Sequence, residues 1–240
     1  MVGNRAAAAF FSRMRIITIL LWLLASSITS WARPPLDLSK VDSLDLAGYR
    51  PLLRGDFRGK HAPAQFLHSP VLPVAVSCIY VVLNPGARIY ALPKQVDGAT
   101  IYVPEVKDLS FQAVLSRSCS WWNDQHEISP AYVLEHEQIH FALYEVAARR
   151  LNERADRLLK ALEGSSDSPQ AAVAAAQRFL HQSLDRTMQD VVEDNVRFDR
   201  ETSFGFQPDR QQQWRMTVEG DLKQLSEHAV DLELRPPASR

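Results

Sequence analysis

The pentapeptide His136-Glu137-Gln138-Ile139-His140 constrains this chain more than any other feature, because its two histidines can act together only on a helix. The flanking sequence supplies one. Ser129 is placed as a cap, Pro130 fits the first turn, and apolar residues recur at Val133, Leu134, Ala142, Val146, Leu151, Leu158 and Leu162 until Gly164. At 3.6 residues per turn, positions four apart differ by only about 40° around the axis, so both imidazoles face one side and can share an ion. Zinc, Zn2+, is the expected ion, since imidazole suits it and an open coordination position can hold water. Glu137 sits about 100° from His136, out of easy reach of the same coordination edge but placed to take a proton from that water.

A third protein ligand is then required. Glu145 is near in sequence but lies about 180° from His136 around the helix, so it is expected to face away. Ser168-Pro169 repeats the helix-start signal, and the pattern predicts a second long helix to about Asp199, with Gly205 beyond its end. An antiparallel return brings this helix level with the motif near residue 194, give or take two turns, at 1.5 Å per residue. Asp190, Glu193, Asp194, Asp199 and Glu201 fall in that window. His181 would sit roughly 20 Å down the hairpin. A third helix is predicted from Asp209 to about Leu232; His228 on it has no fixed place relative to the motif.

The first half of the chain reads differently. Residues 33 to about 70 are rich in Pro, Gly and charge, and predict an extended arm with a short strand or two. From Val71 to Val103 the pattern is β: Val74, Val76, Cys78, Tyr80 and Val82 alternate, Asn84-Pro85-Gly86 makes a turn, and Ile89–Leu92 and Thr100–Val103 are β-branched and aromatic runs. About three antiparallel strands are expected there. Phe111 to Trp122 fits no single element, and Trp121 and Trp122 read as packing residues. The expectation is an α+β fold: a small antiparallel sheet, then a long helical hairpin carrying the motif, then a closing helix. Residues 33–240 would form one zincin-like domain, strands to about 125 and helices over 129–232.

The first residues point to export. Arg5, Arg13 and Arg15 precede an apolar run from Ile16 to Leu24, and Ser30-Trp31-Ala32 is a small-x-small cleavage site, so residues 1–32 read as a signal peptide. The apolar run falls short of the ~20 residues that span a bilayer, so stable insertion after cleavage is not expected; an uncleaved anchor is the alternative. In an oxidising compartment Cys78 and Cys119, the only two cysteines, pair first as a disulfide, with two buried thiols as the other reading. A net charge of -1 with basic and acidic residues interspersed gives no surface suited to nucleic acid. Arg54-Gly55-Asp56 matches an adhesion tripeptide only as chance would.

Leu134–Phe141, with Glu145 and Ala148–Leu151 after it, resembles the bacterial family called domain of unknown function 922, secreted zinc-dependent proteases by prediction. Asp56-Phe57-Arg58-Gly59 resembles its Asp-Phe-x-Gly, and Ser120-Trp121 its Ser-Trp. Phe198–Gly205 resembles a Tyr-Asp-x-x-Thr-x-His-Gly signature, and Gln213-Trp214 a downstream Gln and Trp. The likeness covers about residues 50 to 215. Phe198 and Phe204 depart from it, standing where the signature has tyrosine and histidine, and neither can bind a metal or donate to an oxyanion. Asp199, Thr202 and Gly205 are kept, which makes Asp199 the expected third ligand, ahead of Glu201 and Asp194, with Glu145 last. The resemblance implies a periplasmic or secreted zinc metallohydrolase acting on peptides or proteins, with Glu137 as general base. The rival expectation is an exported zinc-binding structural or interaction protein whose catalysis the two phenylalanines have weakened. A metal-free helical binding domain requires the motif to be accidental.

Overall fold

The computed structural model describes residues 45–64, 73–162 and 164–230. The proposed signal peptide and the residues beyond Val230 lie outside them. The fold is α+β, as the sequence pattern implies. Among the described residues seven strands precede four helices: β1 (Leu46–Gly48), β2 (Ala75–Val76), β3 (Ile79–Leu83), β4 (Arg88–Val96), β5 (Ala99–Lys107), β6 (Phe111–Ser116) and β7 (Trp121–Trp122), then α1 (Pro130–Glu153), α2 (Ala155–Ala161), α3 (Pro169–Glu201) and α4 (Pro208–Gln224).

The strands do not make one sheet. They form three antiparallel ladders, β1-β6-β3, β2-β7 and β4-β5. The segment Phe111–Ser116, which fits no single element in sequence, is the central strand, buried along its whole length. Its alternation explains both its ambiguity and its place: Phe111, Ala113 and Leu115 face the helices, while Val114 joins Leu46, Cys78, Tyr80 and Val82 on the other side. A strand buried on both faces loses the polar alternation that marks a strand in sequence. The two β-branched runs between residues 89 and 103 are arms of one hairpin, turned at Asp97 and Gly98 with φ of 49° and 79°. Two successive positive φ values match the type I′ turn that fits strand twist. The hairpin packs along α3 and is tied to the residues before it by paired backbone bonds between Tyr102 and Ser166, both 2.9 Å.

The helices follow their apolar stripes. On α3, Ala172, Ala176, Leu180, Leu184, Met188, Val191 and Phe198 are buried at steps of three, four or seven, and Ser168 accepts a bond from Ala171 N at 3.2 Å. Two of the helix bounds need correction. The first helix does not run unbroken to Gly164 but stops at Glu153, with α2 a separate segment. No Gly or Pro marks this break. It follows Asn152, whose side chain accepts from Phe111 N and donates to the carbonyls of Phe111 and His228, tying the helix end to β6 and to the chain after α4. Ser129 is the N-cap of α1, as the sequence predicts, and accepts through its carbonyl from Tyr132 N and Val133 N. The closing helix ends at Gln224, followed by a 3-10 turn at Ser226–His228.

Two side features anchor the sheet. Cys78 and Cys119 are joined as a disulfide with Cα atoms 5.7 Å apart, closing the small cluster behind β3 and β6. Asp56 is buried and takes bonds from Arg50, from Leu53 N and from Arg117, so the Arg54-Gly55-Asp56 acid is spent inside the fold. No helix among the described residues is long and apolar enough to cross a membrane.

Candidate metal centre

α1 and α3 run against each other, and the register of that pairing decides which carboxylate meets the motif. His136 and His140 both project toward α3, and Asp199, in its last turn, meets them there. Asp199 Oδ1 lies 3.2 Å from His136 Nε2 and 3.1 Å from His140 Nε2, and the two Nε2 atoms are 3.2 Å apart. Three donor atoms thus form a nearly equilateral triangle. A tetrahedral ion with ligands at about 2.0–2.1 Å spaces its donors by about 3.3 Å, so the triangle fits one face of a zinc polyhedron. His136, His140 and Asp199 are the one group of this kind among the described residues.

The outer nitrogens of the rings are equally well placed. His140 Nδ1 donates to Asn195 Oδ1 at 2.5 Å and His136 Nδ1 to Gln211 Oε1 at 3.0 Å. Asn195 Nδ2 is itself committed to the carbonyl of Val191 at 2.6 Å, which fixes the amide's orientation and leaves only its oxygen for the histidine. An amide oxygen can only accept, so Nδ1 of His140 carries hydrogen and Nε2 is the nitrogen turned to Asp199 and His136. Phe198 completes the seat. It is fully buried, stacks on the His136 ring at 4.6 Å and meets His140 edge-on at 4.8 Å.

The electrostatics of the cluster follow from its geometry. Burial lowers the proton affinity of His140, yet the adjoining Asp199 carboxylate outweighs it and the imidazole is pushed up to about 9. Burial likewise works against the charge of Asp199, and the two imidazoles overcome it, holding that carboxyl well below the usual range.

Glu137 lies on the flank, 4% exposed, its Oε2 accepting from Ser77 Oγ at 2.6 Å. Ser77 sits between β2 and β3 and is held by its neighbour Cys78, which carries the disulfide and donates its N–H to Ser120 Oγ at 3.0 Å. Glu137 is close enough to raise the proton affinity of His140 through its charge.

The other candidate carboxylates go elsewhere. Glu145 is buried against Arg149, bonded at 2.7 Å, on the far side of α1 as its helical angle requires. Burial raises its pKa, with Arg149 opposing. Asp194 pairs with Arg197, and Glu201 accepts from Trp214 Nε1 at 3.0 Å. Asp190, Glu193 and His181 are exposed, and the His228 carbonyl accepts from Asn152 beyond the end of α4. Asn195 and Gln211, whose amide oxygens meet the outer ring nitrogens, are the residues of the cluster that sequence reading misses. Asn195 was within reach, one helical turn before Asp199 on the same face. Gln213, the glutamine that the resemblance picks out, instead accepts from Arg210, and Gln211 is the one at His136. A cavity of about 510 Å³ lies between α1, α3 and α4, lined in part by Leu143, Val146, Val191 and Val218; it contains none of the four site residues.

No protein-family model matches the chain, and neither a curated protein nor a solved structure does.

Proposed function

We propose that this protein is an exported, periplasmic or secreted zinc-dependent metallohydrolase, acting on peptide bonds, with His136, His140 and Asp199 as ligands and Glu137 as general base. The observation that carries the reading is the convergence of three donor atoms at 3.1–3.2 Å with the ring nitrogens behind them engaged by amide oxygens. Zinc would supply Lewis acidity toward a carbonyl and make water acidic near neutral pH. Glu137, whose Oε2 accepts from Ser77 Oγ, would take a proton from the attacking water and hand it to the leaving nitrogen. Asp199 is 30% exposed at its side chain and both imidazoles are 12% exposed, so the triangle is not sealed from solvent. The disulfide and the chain's first residues support export.

The test pairs zinc-loaded wild type with Glu137→Gln on unfolded protein substrates. Equal zinc in both with hydrolysis down at least ~100-fold in the variant is expected for a positioned base. Hydrolysis unchanged in Glu137→Gln would remove the mechanism. A structural zinc site is the second reading, favoured by Phe198, which replaces a hydrogen-bonding tyrosine with an apolar wall against both rings. Bound zinc with no hydrolysis of any peptide or protein bond would select it.

A further inference from the structure

The outward face of the β4–β5 hairpin is apolar where a solvent face should be polar. A ribbon that lays one face on a helix is expected to alternate, with its apolar side chains turned in. Ile89 and Val106 do turn in, joining the core against which α3 packs. At the alternate positions of both strands, however, the opposite face presents Tyr90, Leu92, Val96, Ile101 and Val103. Tyr90 is 39% exposed, Leu92 49% and Val96 39%, while Ile101 and Val103 are half-buried. Toward the tip it is the inner face that is polar, where Gln95 Nε2 donates to Thr100 Oγ1 at 2.8 Å and both side chains are exposed. A continuous apolar row on a surface marks a contact with another molecule.

The charges set among that row say what it fits. Strand pairing divides the outer face into five levels: Arg88 with Lys107, Tyr90 with Glu105, Leu92 with Val103, Lys94 with Ile101, and Val96 with Ala99, after which Asp97 stands in the turn. Their order is self-complementary about the middle level. A two-fold axis lying across the strands at Leu92 and Val103, between two such faces, reverses the levels of one copy over the other. Glu105 of each copy then meets Lys94 of the other, Tyr90 meets Ile101, and the Leu92–Val103 levels meet each other. Arg88 arrives at the end where the other copy's turn carries Asp97. Stacked sheets stand about 10 Å apart, a gap that lysine and glutamate side chains from opposite faces can bridge. Among the described residues Arg88, Lys94 and Asp97 form no ion pair, and Glu105 pairs with Lys107 at a long 3.6 Å. With both signs of charge interspersed, the same face offers no net field to an anionic lipid surface.

We propose that this protein self-associates through the outer face of β4 and β5, two hairpins stacking face to face about a two-fold axis. Two nine-residue strands make a face of about 30 Å by 10 Å, well below the ~800 Å² per partner of a standard interface. The dimer is therefore a weak one, which forms at micromolar concentrations and above.

Sedimentation equilibrium of the mature protein, from low micromolar to submillimolar concentration, measures the association. The weight-average mass is expected to climb from one copy toward two. Leu92→Ser, at a side chain half in water, should weaken the dimer by about tenfold or more, since a two-fold counts the loss twice. Lys94→Glu and Glu105→Lys should each weaken it by roughly tenfold, because each sets like charges against each other at both ends of the interface. An equimolar mixture of those two variants should associate again, opposite charges being restored across the interface, and this recovery also shows that both variants are folded. A mass of one copy at every concentration overturns the proposal. So does a dimer indifferent to Leu92→Ser, whose contact must lie elsewhere, or a mixture that associates no better than its two components, which breaks the two-fold register.

Discussion

Asp199→Asn tests the electrostatics of the site without any metal. In the wild-type protein, Asp199 Oδ1 lies 3.1 Å from His140 Nε2, and this pairing overrides burial to push the imidazole from 6.5 to about 9. A base whose folded pKa exceeds its unfolded value stabilises the fold in full below the unfolded pKa, and that stability is lost as pH climbs through the folded one. The window is therefore pH 6.5 to about 9, and the shift corresponds to about 3 kcal/mol at 1.36 kcal/mol per unit, for a side chain only 12% exposed. Asparagine keeps the shape and removes the charge, leaving burial as the largest influence on His140, so its pKa falls and most of the pH dependence goes with it. The assay is urea unfolding in EDTA at pH 6 and pH 9.5 for both proteins. Wild type should lose about 3 kcal/mol more than the variant between the two pH values. Parallel curves would refute the pairing of His140 with Asp199.

Removing the acceptors behind the rings, by Asn195→Leu or Gln211→Leu, should weaken zinc binding by roughly 10- to 100-fold each in competition with a chromophoric chelator, the usual scale for groups that orient a ligand; unchanged affinity would assign the two amides to packing. Ser77→Ala should leave zinc content intact and lower kcat rather than raise KM, by roughly tenfold for a loosened base; an effect on KM alone would deny Ser77 its hold on Glu137. Reducing Cys78–Cys119, which spans 41 residues, should cost about 4 kcal/mol on the chain-entropy account. Urea midpoints with and without dithiothreitol check it, and equal midpoints would contradict a bond that constrains the unfolded chain.

How much of this was legible in sequence depends on where each residue's information lies. The motif, its helix and the return of α3 follow from local signals: a proline-led start, apolar steps of three and four, and a fixed rise per residue. These place Asp199 in a window of two turns either side of residue 194, but cannot separate it from Asp194 or Glu201. Helix pairing separates them, by turning Asp194 to Arg197 and Glu201 to Trp214. Gln211 was invisible for a related reason: its role comes from α4 folding back onto α1, and no local pattern records that contact. Strand β6 was obscured because burial on both faces erases its alternation, and the helix break after Glu153 because its cause is Asn152 reaching β6. Sequence carries the periodicities, and tertiary contacts carry the partners.

The central claim is that the triangle of His136 Nε2, His140 Nε2 and Asp199 Oδ1 is a zinc seat. Crystals of the mature protein grown with zinc, measured on either side of the zinc absorption edge, test it most directly. The account requires an anomalous peak about 2.0–2.2 Å from each of the three atoms, at full occupancy and lost in His140→Ala. A peak at another place on the protein, or none at saturating zinc, would contradict it.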